Sequence, residues 1–215
     1  MLQLANITKV NQMPYWLLGV GFFLFFFNVL VLFIPSLIHF DLVIVEWISQ
    51  HRTVHLNTIA IILSAMGGIP FVLFLTSLWC FHQGWYKKYT NVVFIGLGLI
   101  GSTATVWLLK YIFSRPRPPE IYHLVQSYGA SFPSAHSVYA ATLGCLAIYL
   151  SQKHSKHQLI CVCAVTWLLM MGISRVYLGV HFPSDVLAGW SIAFIWITLL
   201  YLLYAKFSHT KQINF

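Results

Sequence analysis

Three polar islands interrupt an otherwise apolar chain. The first is Lys110, separated by six residues from Arg117-Pro118; the second is Pro133-Ser134-Ala135-His136. The third is Ser174-Arg175, separated by five residues from His181, which lies three residues short of Asp185. Together they supply three strong cations, two histidines, a serine of the second island and one carboxylate, a set able to hold a phosphoryl group and attack it. A phosphate ester or diphosphate concentrates negative charge. Its cleavage needs charge stabilisation, an in-line nucleophile and a proton for the leaving oxygen. Lys110, Arg117 and Arg175 are the candidate cradle, and arginine adds a planar donor fork matched to phosphate oxygens. Ser134, Ala135 and His136 are expected to open a helix, whose free N–H groups favour an anion, and Ser134 adds a hydroxyl. His181 and Asp185 are four residues apart across Pro183. A carboxylate at that offset can hold one imidazole nitrogen protonated and aim the other at phosphorus. His181 is therefore the candidate nucleophile and Asp185 its orienter. His136 is left as the candidate general acid and base.

The surrounding chain decides where these groups meet. It has 215 residues, 59% hydrophobic and 7% charged, with mean hydropathy +0.79. A soluble domain carries about 25% charged residues, so lipid is the main solvent here. The length fits one membrane-embedded domain over residues 1–215, with the catalytic motifs in 110–185. The net charge of +8 does not indicate nucleic acid, because the lysines lie in short loops between apolar runs. Cys80, Cys145, Cys161 and Cys163 all fall inside apolar segments, where small helix-packing residues are expected rather than a disulfide framework or a zinc site.

A bilayer core needs about 20 apolar residues per helix. Six candidates satisfy this roughly: 15–36, 56–82, 91–113, 135–151, 158–175 and 184–206. The expected architecture is all-α and polytopic, with six transmembrane helices. The stretch 37–55 mixes apolar residues with Asp41, Glu46, His51 and Arg52 and reads as an interfacial or re-entrant helix between the first and second spans. Gly67-Gly68-Ile69-Pro70 predicts a kink or tilt in the second span. With six spans, every lysine except Lys110 falls on one side: Lys9, Lys87, Lys88, Lys153, Lys156, Lys206 and Lys211. All four arginines and all four acidic residues fall on the other. The positive-inside rule makes the lysine face cytoplasmic, with both termini, and turns the three islands outward. Arg115 is an extra cation without an assigned role, open to substrate or headgroup contact. The His51, Arg52 and His55 cluster reads as an anionic-lipid contact in preference to a metal site.

The three islands resemble the signature motifs of the type 2 phosphatidic acid phosphatase superfamily, which spans integral-membrane lipid phosphatases and soluble vanadium haloperoxidases. The resemblance covers about a third of the chain by motif, from Lys110 to Asp185. It implies a metal-independent, cofactor-free mechanism through a phosphohistidine, with the site residues Lys110, Arg117, Ser134, His136, Arg175, His181 and Asp185. One departure is visible: Ala135 stands where the family motif has glycine. An alanine serves there if only its backbone N–H is used, and is strained if the position needs positive φ. The resemblance further implies a bacterial inner-membrane enzyme whose substrate is a lipid phosphate and whose surroundings are membrane lipids, with no obligate protein partner. Undecaprenyl diphosphate, recycled to undecaprenyl phosphate, is the leading substrate. Phosphatidylglycerophosphate, phosphatidic acid and lipid A phosphates are alternatives, as is lipid-to-lipid phosphotransfer. An anion transporter would use similar cations, but places its site near mid-membrane and often shows repeated halves.

Overall fold

Apolar runs with the length of a bilayer must close their backbone hydrogen bonds internally, so they fold as helices. The structure, a computed structural model, describes residues 12–213, with side chains placed as far as Lys206. Among the described residues there are eight α-helices and no strand. They are α1 (Met13–Val31), α2 (Pro35–Gln50), α3 (Val54–Gly67), α4 (Ile69–Trp85), α5 (Tyr89–Phe113), α6 (Ala135–Leu150), α7 (His157–Tyr177) and α8 (Pro183–Ile213). A single 3-10 turn, Glu120–Tyr122, lies in the α5–α6 loop. Lys9 lies outside the described residues, as do the side chains of His209 and Lys211.

Four helices, α1, α5, α7 and α8, are long and apolar enough to cross a membrane by themselves. The expected kink is present: α3 and α4 meet at a 55° bend and together make a fifth candidate span. Pro70 at the start of α4 lacks the N–H that a continuous helix would use there. The fourth expected span, α6, has 16 residues, a length of about 24 Å against about 30 Å of hydrocarbon. It is buried along almost its whole length, because α5, α7 and α8 pack around it and α3 and α4 touch it. A helix enclosed by other helices need not match the bilayer thickness itself.

With no water to exclude between lipid-bathed helices, packing rests on small residues and interhelical hydrogen bonds. On α6, Ala140, Ala141 and Gly144 allow close approach. Thr142 donates to Ser102 of α5 at 2.9 Å, and the Tyr149 hydroxyl lies 3.0 Å from that of Thr198 on α8. The outer faces carry exposed Trp16, Phe23, Trp107 and Ile173, suited to acyl chains.

In the segment 37–55, α2 exposes Phe40, Val43 and Trp47 along its outer face. α2 buries Asp41 and Val45 against the bundle. Arg52 is tied to the bundle: its Nε donates to the Tyr177 carbonyl at 2.9 Å and its guanidinium to the Tyr122 carbonyl at 2.8 Å. The end of α7 has orphan carbonyls that need donors, and Arg52 supplies one. His51 stacks on Trp47 with ring centroids 4.5 Å apart.

Chain direction then assembles the islands. The C-terminal ends of α5 and α7 bring Lys110 and Arg175, and the N-terminal ends of α6 and α8 bring Ser134, His136 and Asp185. Gly179 stops α7 in the left-handed region at φ +75° and turns the chain toward His181. A Cβ there would stand 2.0 Å from the Tyr122 carbonyl oxygen. Gly179→Ala is therefore expected to cost at least about 2 kcal/mol through strain and overpacking, read as a fall in the melting temperature of detergent-purified protein. Gly84→Ala, whose added Cβ meets nothing within 4 Å, is the control expected to melt like the parent.

Candidate active site

Lys110 sits in the last turn of α5, buried to 8% exposure, and donates to the Ala130 carbonyl at 2.5 Å. α5 ends at Ser114, a non-glycine in the left-handed region (φ 43°), and this reversal brings the next arginines back over the bundle end. Arg117 donates to the backbone carbonyls of Gly129, Tyr128 and Val180 at 3.0, 2.8 and 2.7 Å. It also donates to Nε2 of His181 at 3.3 Å. Arg175, 3% exposed in the last turn of α7, donates to the Ser64 hydroxyl, while its Nε is a buried donor with no partner. Lys110, Arg117 and Arg175 are near enough to act on one another electrostatically.

Ser134 caps α6 and is fully buried. Its hydroxyl oxygen accepts from the Ser137 hydroxyl at 3.0 Å, which leaves its own proton free to donate. Its N–H donates to the Asp185 carbonyl at 3.0 Å, locking the start of α6 to the start of α8. Gly189 permits that approach, since a Cβ there would lie 2.7 Å from the Ser134 carbonyl oxygen. Ala135 is the first residue of α6. Among the described residues the non-glycines with positive φ are Lys87 and Ser114, so alanine is unstrained at this position. His136 follows, half-buried, with its ring against Gly67 and within hydrogen-bonding reach of the Ser64 backbone.

His181 and Asp185 meet as the spacing requires, with Nδ1 3.4 Å from a carboxylate oxygen. A guanidinium can only donate. Since Arg117 faces Nε2, that nitrogen is the acceptor and the imidazole proton resides on Nδ1, toward Asp185. The unprotonated Nε2 keeps its lone pair. Burial holds the His181 imidazole well below its ordinary pKa, opposed by Asp185 and assisted by Arg117 and Lys110. It is neutral at neutral pH.

Asp185 is fully buried and heavily bonded. It accepts from the Phe182 N–H at 2.8 Å, from the Ser131 hydroxyl and from Arg115 at 2.7 Å. Arg115 touches no open surface: it is 8% exposed, pairs with Asp41 of α2 at 2.9 Å and lies 4.0 Å over the Phe182 ring. Ser184 bonds to both Arg115 and Asp41. The extra cation is thus a brace beneath Asp185. Arg115, Asp41, Ser131 and Ser184 were not assigned to the site by motif reading. Asp41 alone carried a signal, as a lone carboxylate within an apolar helix, where ionisable residues are costly and mark partners.

Four cations here face two carboxylates, Asp41 and Asp185, which leaves two positive charges without a counterion at one end of an apolar bundle. A phosphate monoester dianion matches that surplus. The model of the PAP2 superfamily matches residues 91–208. The chain belongs to the PAP2 superfamily. The fold of this PAP2 protein agrees with the transmembrane PAP2-type phosphatidylglycerolphosphate phosphatase of Bacillus subtilis. That match has a TM-score of 0.76 and 28% identity, over 88% of this chain and 96% of the other. Aquifex aeolicus LpxE aligns at TM-score 0.61 and 25% identity over 74% of this chain and 92% of its own. Among curated relatives, phosphatidylglycerophosphatase B of Bacillus subtilis is 41% identical over 93 residues, 41% of this chain and 45% of that protein. Undecaprenyl-diphosphatase BcrC of the same organism is 28% identical over 156 residues, 70% of this chain and 76% of the relative. Both of these curated relatives are phosphatases by name.

Two outcomes follow from the geometry. Arg115→Ala strands two buried carboxylates and is expected to destabilise the protein by about 3–5 kcal/mol. Arg115→Lys should restore only part, because a point charge cannot fork between two partners. A variant that melts like the parent would place Arg115 outside the brace. The second concerns pH. The folded His181 pKa lies below that of the unfolded chain, so as pH falls below about 6.5 the unfolded chain binds a proton that the fold refuses. Stability is therefore expected to be lost from pH 7 toward pH 5, with a shallower loss in His181→Asn.

Proposed function

We propose that the protein hydrolyses a terminal phosphate from a membrane lipid phosphate or diphosphate through a covalent phosphohistidine on His181. The observation that carries this reading is the neutral His181 with its bare Nε2 beside Arg117, next to the partnerless Nε of Arg175. In the first step Nε2 attacks phosphorus and the bond from phosphorus to the lipid oxygen breaks. His136 gives that oxygen its proton. Asp185 holds the Nδ1 proton and stabilises the positive charge that the ring gains. In the second step His136 takes a proton from water, the resulting hydroxide attacks phosphorus, and the P–N bond breaks. Phosphate leaves and Nε2 recovers its lone pair. Lys110, Arg117 and Arg175 hold the phosphoryl oxygens throughout, joined by the Ser134 hydroxyl and the N–H groups at Ala135. None of these steps calls on a metal or cofactor.

The setting favours a lipid substrate. The residues meet at the ends of membrane-length helices rather than at their middle, which suits a headgroup held at the bilayer surface. We read the architecture as six spans, with the bent α3–α4 pair and the enclosed α6 as the second and fourth. Lys87, Lys88, Lys153 and Lys156 lie at the opposite ends of α4 to α7, which supports a cytoplasmic lysine face and an outward site. In a bacterial inner membrane that site faces the periplasm, where undecaprenyl diphosphate is released. The names of BcrC and phosphatidylglycerophosphatase B support undecaprenyl diphosphate first and phosphatidylglycerophosphate second.

The test is a purified-enzyme panel of undecaprenyl diphosphate, phosphatidylglycerophosphate, phosphatidic acid and lipid A, following free phosphate. The expected result is stoichiometric phosphate release that is fastest with undecaprenyl diphosphate, insensitive to chelators, and abolished in a folded His181→Ala protein. Near-normal turnover in His181→Ala would refute the nucleophile. Phosphate appearing only on a second lipid would refute hydrolysis.

A further inference from the structure

At the bundle end remote from His181, the loops after α4 and α6 and the starts of α5 and α7 border an open cavity of about 580 Å³ with a partly polar lining. His82, Gln83, Lys88, Asn91, Ser151 and His154 line its polar part. A separate apolar cavity of about 540 Å³ lies between α4, α6 and α7 and is lined by Phe71, Leu75, Leu143 and Trp167. Trp79, Ala147 and Ile160 line both, so the two abut, one as a polar head and the other as an apolar stem.

Charge identifies what the head would hold. The residue capping α5 is Lys88 and that capping α7 is Lys156; neither helix has a side-chain cap or an acidic residue in its first turn. A helix start carries orphan N–H groups and a partial positive charge, so it disfavours a lysine and favours an anion. Here two helix starts of 25 and 21 residues sit with lysines and no counter-charge. Among the described residues no carboxylate pairs with Lys87, Lys88, Lys153 or Lys156. All four acidic residues, Asp41, Glu46, Glu120 and Asp185, belong to other segments of the chain.

From this geometry we infer a binding site for an anionic membrane phospholipid. Its headgroup phosphate sits among Lys88, His82 and His154, and an acyl chain passes Trp79 and Ala147 to lie in the apolar stem. The headgroup supplies the negative charge that the two helix starts lack, and the chain fills the apolar stem. The site shares no residue with the catalytic end and does not depend on the reaction proposed there.

The test uses the full chain purified and delipidated in a non-ionic detergent. Dioleoyl-phosphatidylglycerol and dioleoyl-phosphatidylcholine, which share their tails, are compared by native mass spectrometry and thermal shift. The expected result is one retained phosphatidylglycerol, with a higher melting temperature than phosphatidylcholine gives. Lys88→Gln/His154→Gln is expected to weaken phosphatidylglycerol binding by about fivefold or more. Both substitutions fall on exposed side chains, so the fold is preserved. Ala147→Phe, which blocks the junction of head and stem, is expected to weaken it too. Equal binding of the two lipids would overturn the assignment. Undiminished phosphatidylglycerol binding by the double variant would also overturn it, by placing that lipid elsewhere, the catalytic end included.

Discussion

Arg115 lies between two buried carboxylates, Asp41 at 2.9 Å and Asp185 at 2.7 Å, and the rest of the site hangs on that bridge. Asp41 comes from α2, Arg115 from the loop after α5 and Asp185 from α8, so one guanidinium ties three distant segments at the bundle end. Burying ions is costly unless each is paired and hydrogen-bonded. Here Ser184, Ser131 and the Phe182 N–H complete the set. The consequence is chemical: a carboxylate fixed on one side by Arg115 presents its other oxygen to His181 Nδ1 and so determines which imidazole nitrogen stays bare.

Against this braced pair stands a group of cations that is not balanced. Lys110, Arg117 and Arg175 are held partly by backbone carbonyls, which satisfy hydrogen bonds without cancelling charge. Their mutual repulsion, and the partnerless Arg175 Nε, are what the proposed phosphate would relieve. Burial contributes twice. It strengthens each charge on the incoming anion, and it keeps His181 neutral and able to attack. The bilayer makes this possible, because helices crossing it need no charged surface and can confine their few ions to their ends.

The motif residues were legible in the sequence because phosphoryl chemistry restricts both residue type and spacing. His181 and Asp185 meet, and Lys110, Arg117 and Arg175 converge at one bundle end, as the spacing requires. The Gly67–Pro70 bend was legible for the same local reason. The brace was not. Asp41 and Arg115 are 74 residues apart, and nothing in either neighbourhood names the other. The carbonyl partners of Arg52 were not legible either, because those of Tyr122 and Tyr177 come into reach only when α3 and the α5–α6 loop fold against the end of α7. At α6 length alone is a weak guide to spanning, because its burial on all sides frees it from matching the bilayer. Local composition reports the solvent that a helix expects, whereas tertiary neighbours decide what it meets.

The central claim is that the phosphoryl group passes through His181. The direct measurement is rapid acid-free quench of the enzyme with a lipid substrate labelled at its terminal phosphate, followed by mapping of the label. The account predicts a labelled phosphoenzyme that is stable in alkali, labile in acid, located on His181 and absent from His181→Asn. Phosphate release without any labelled enzyme, or label on a serine, would contradict it.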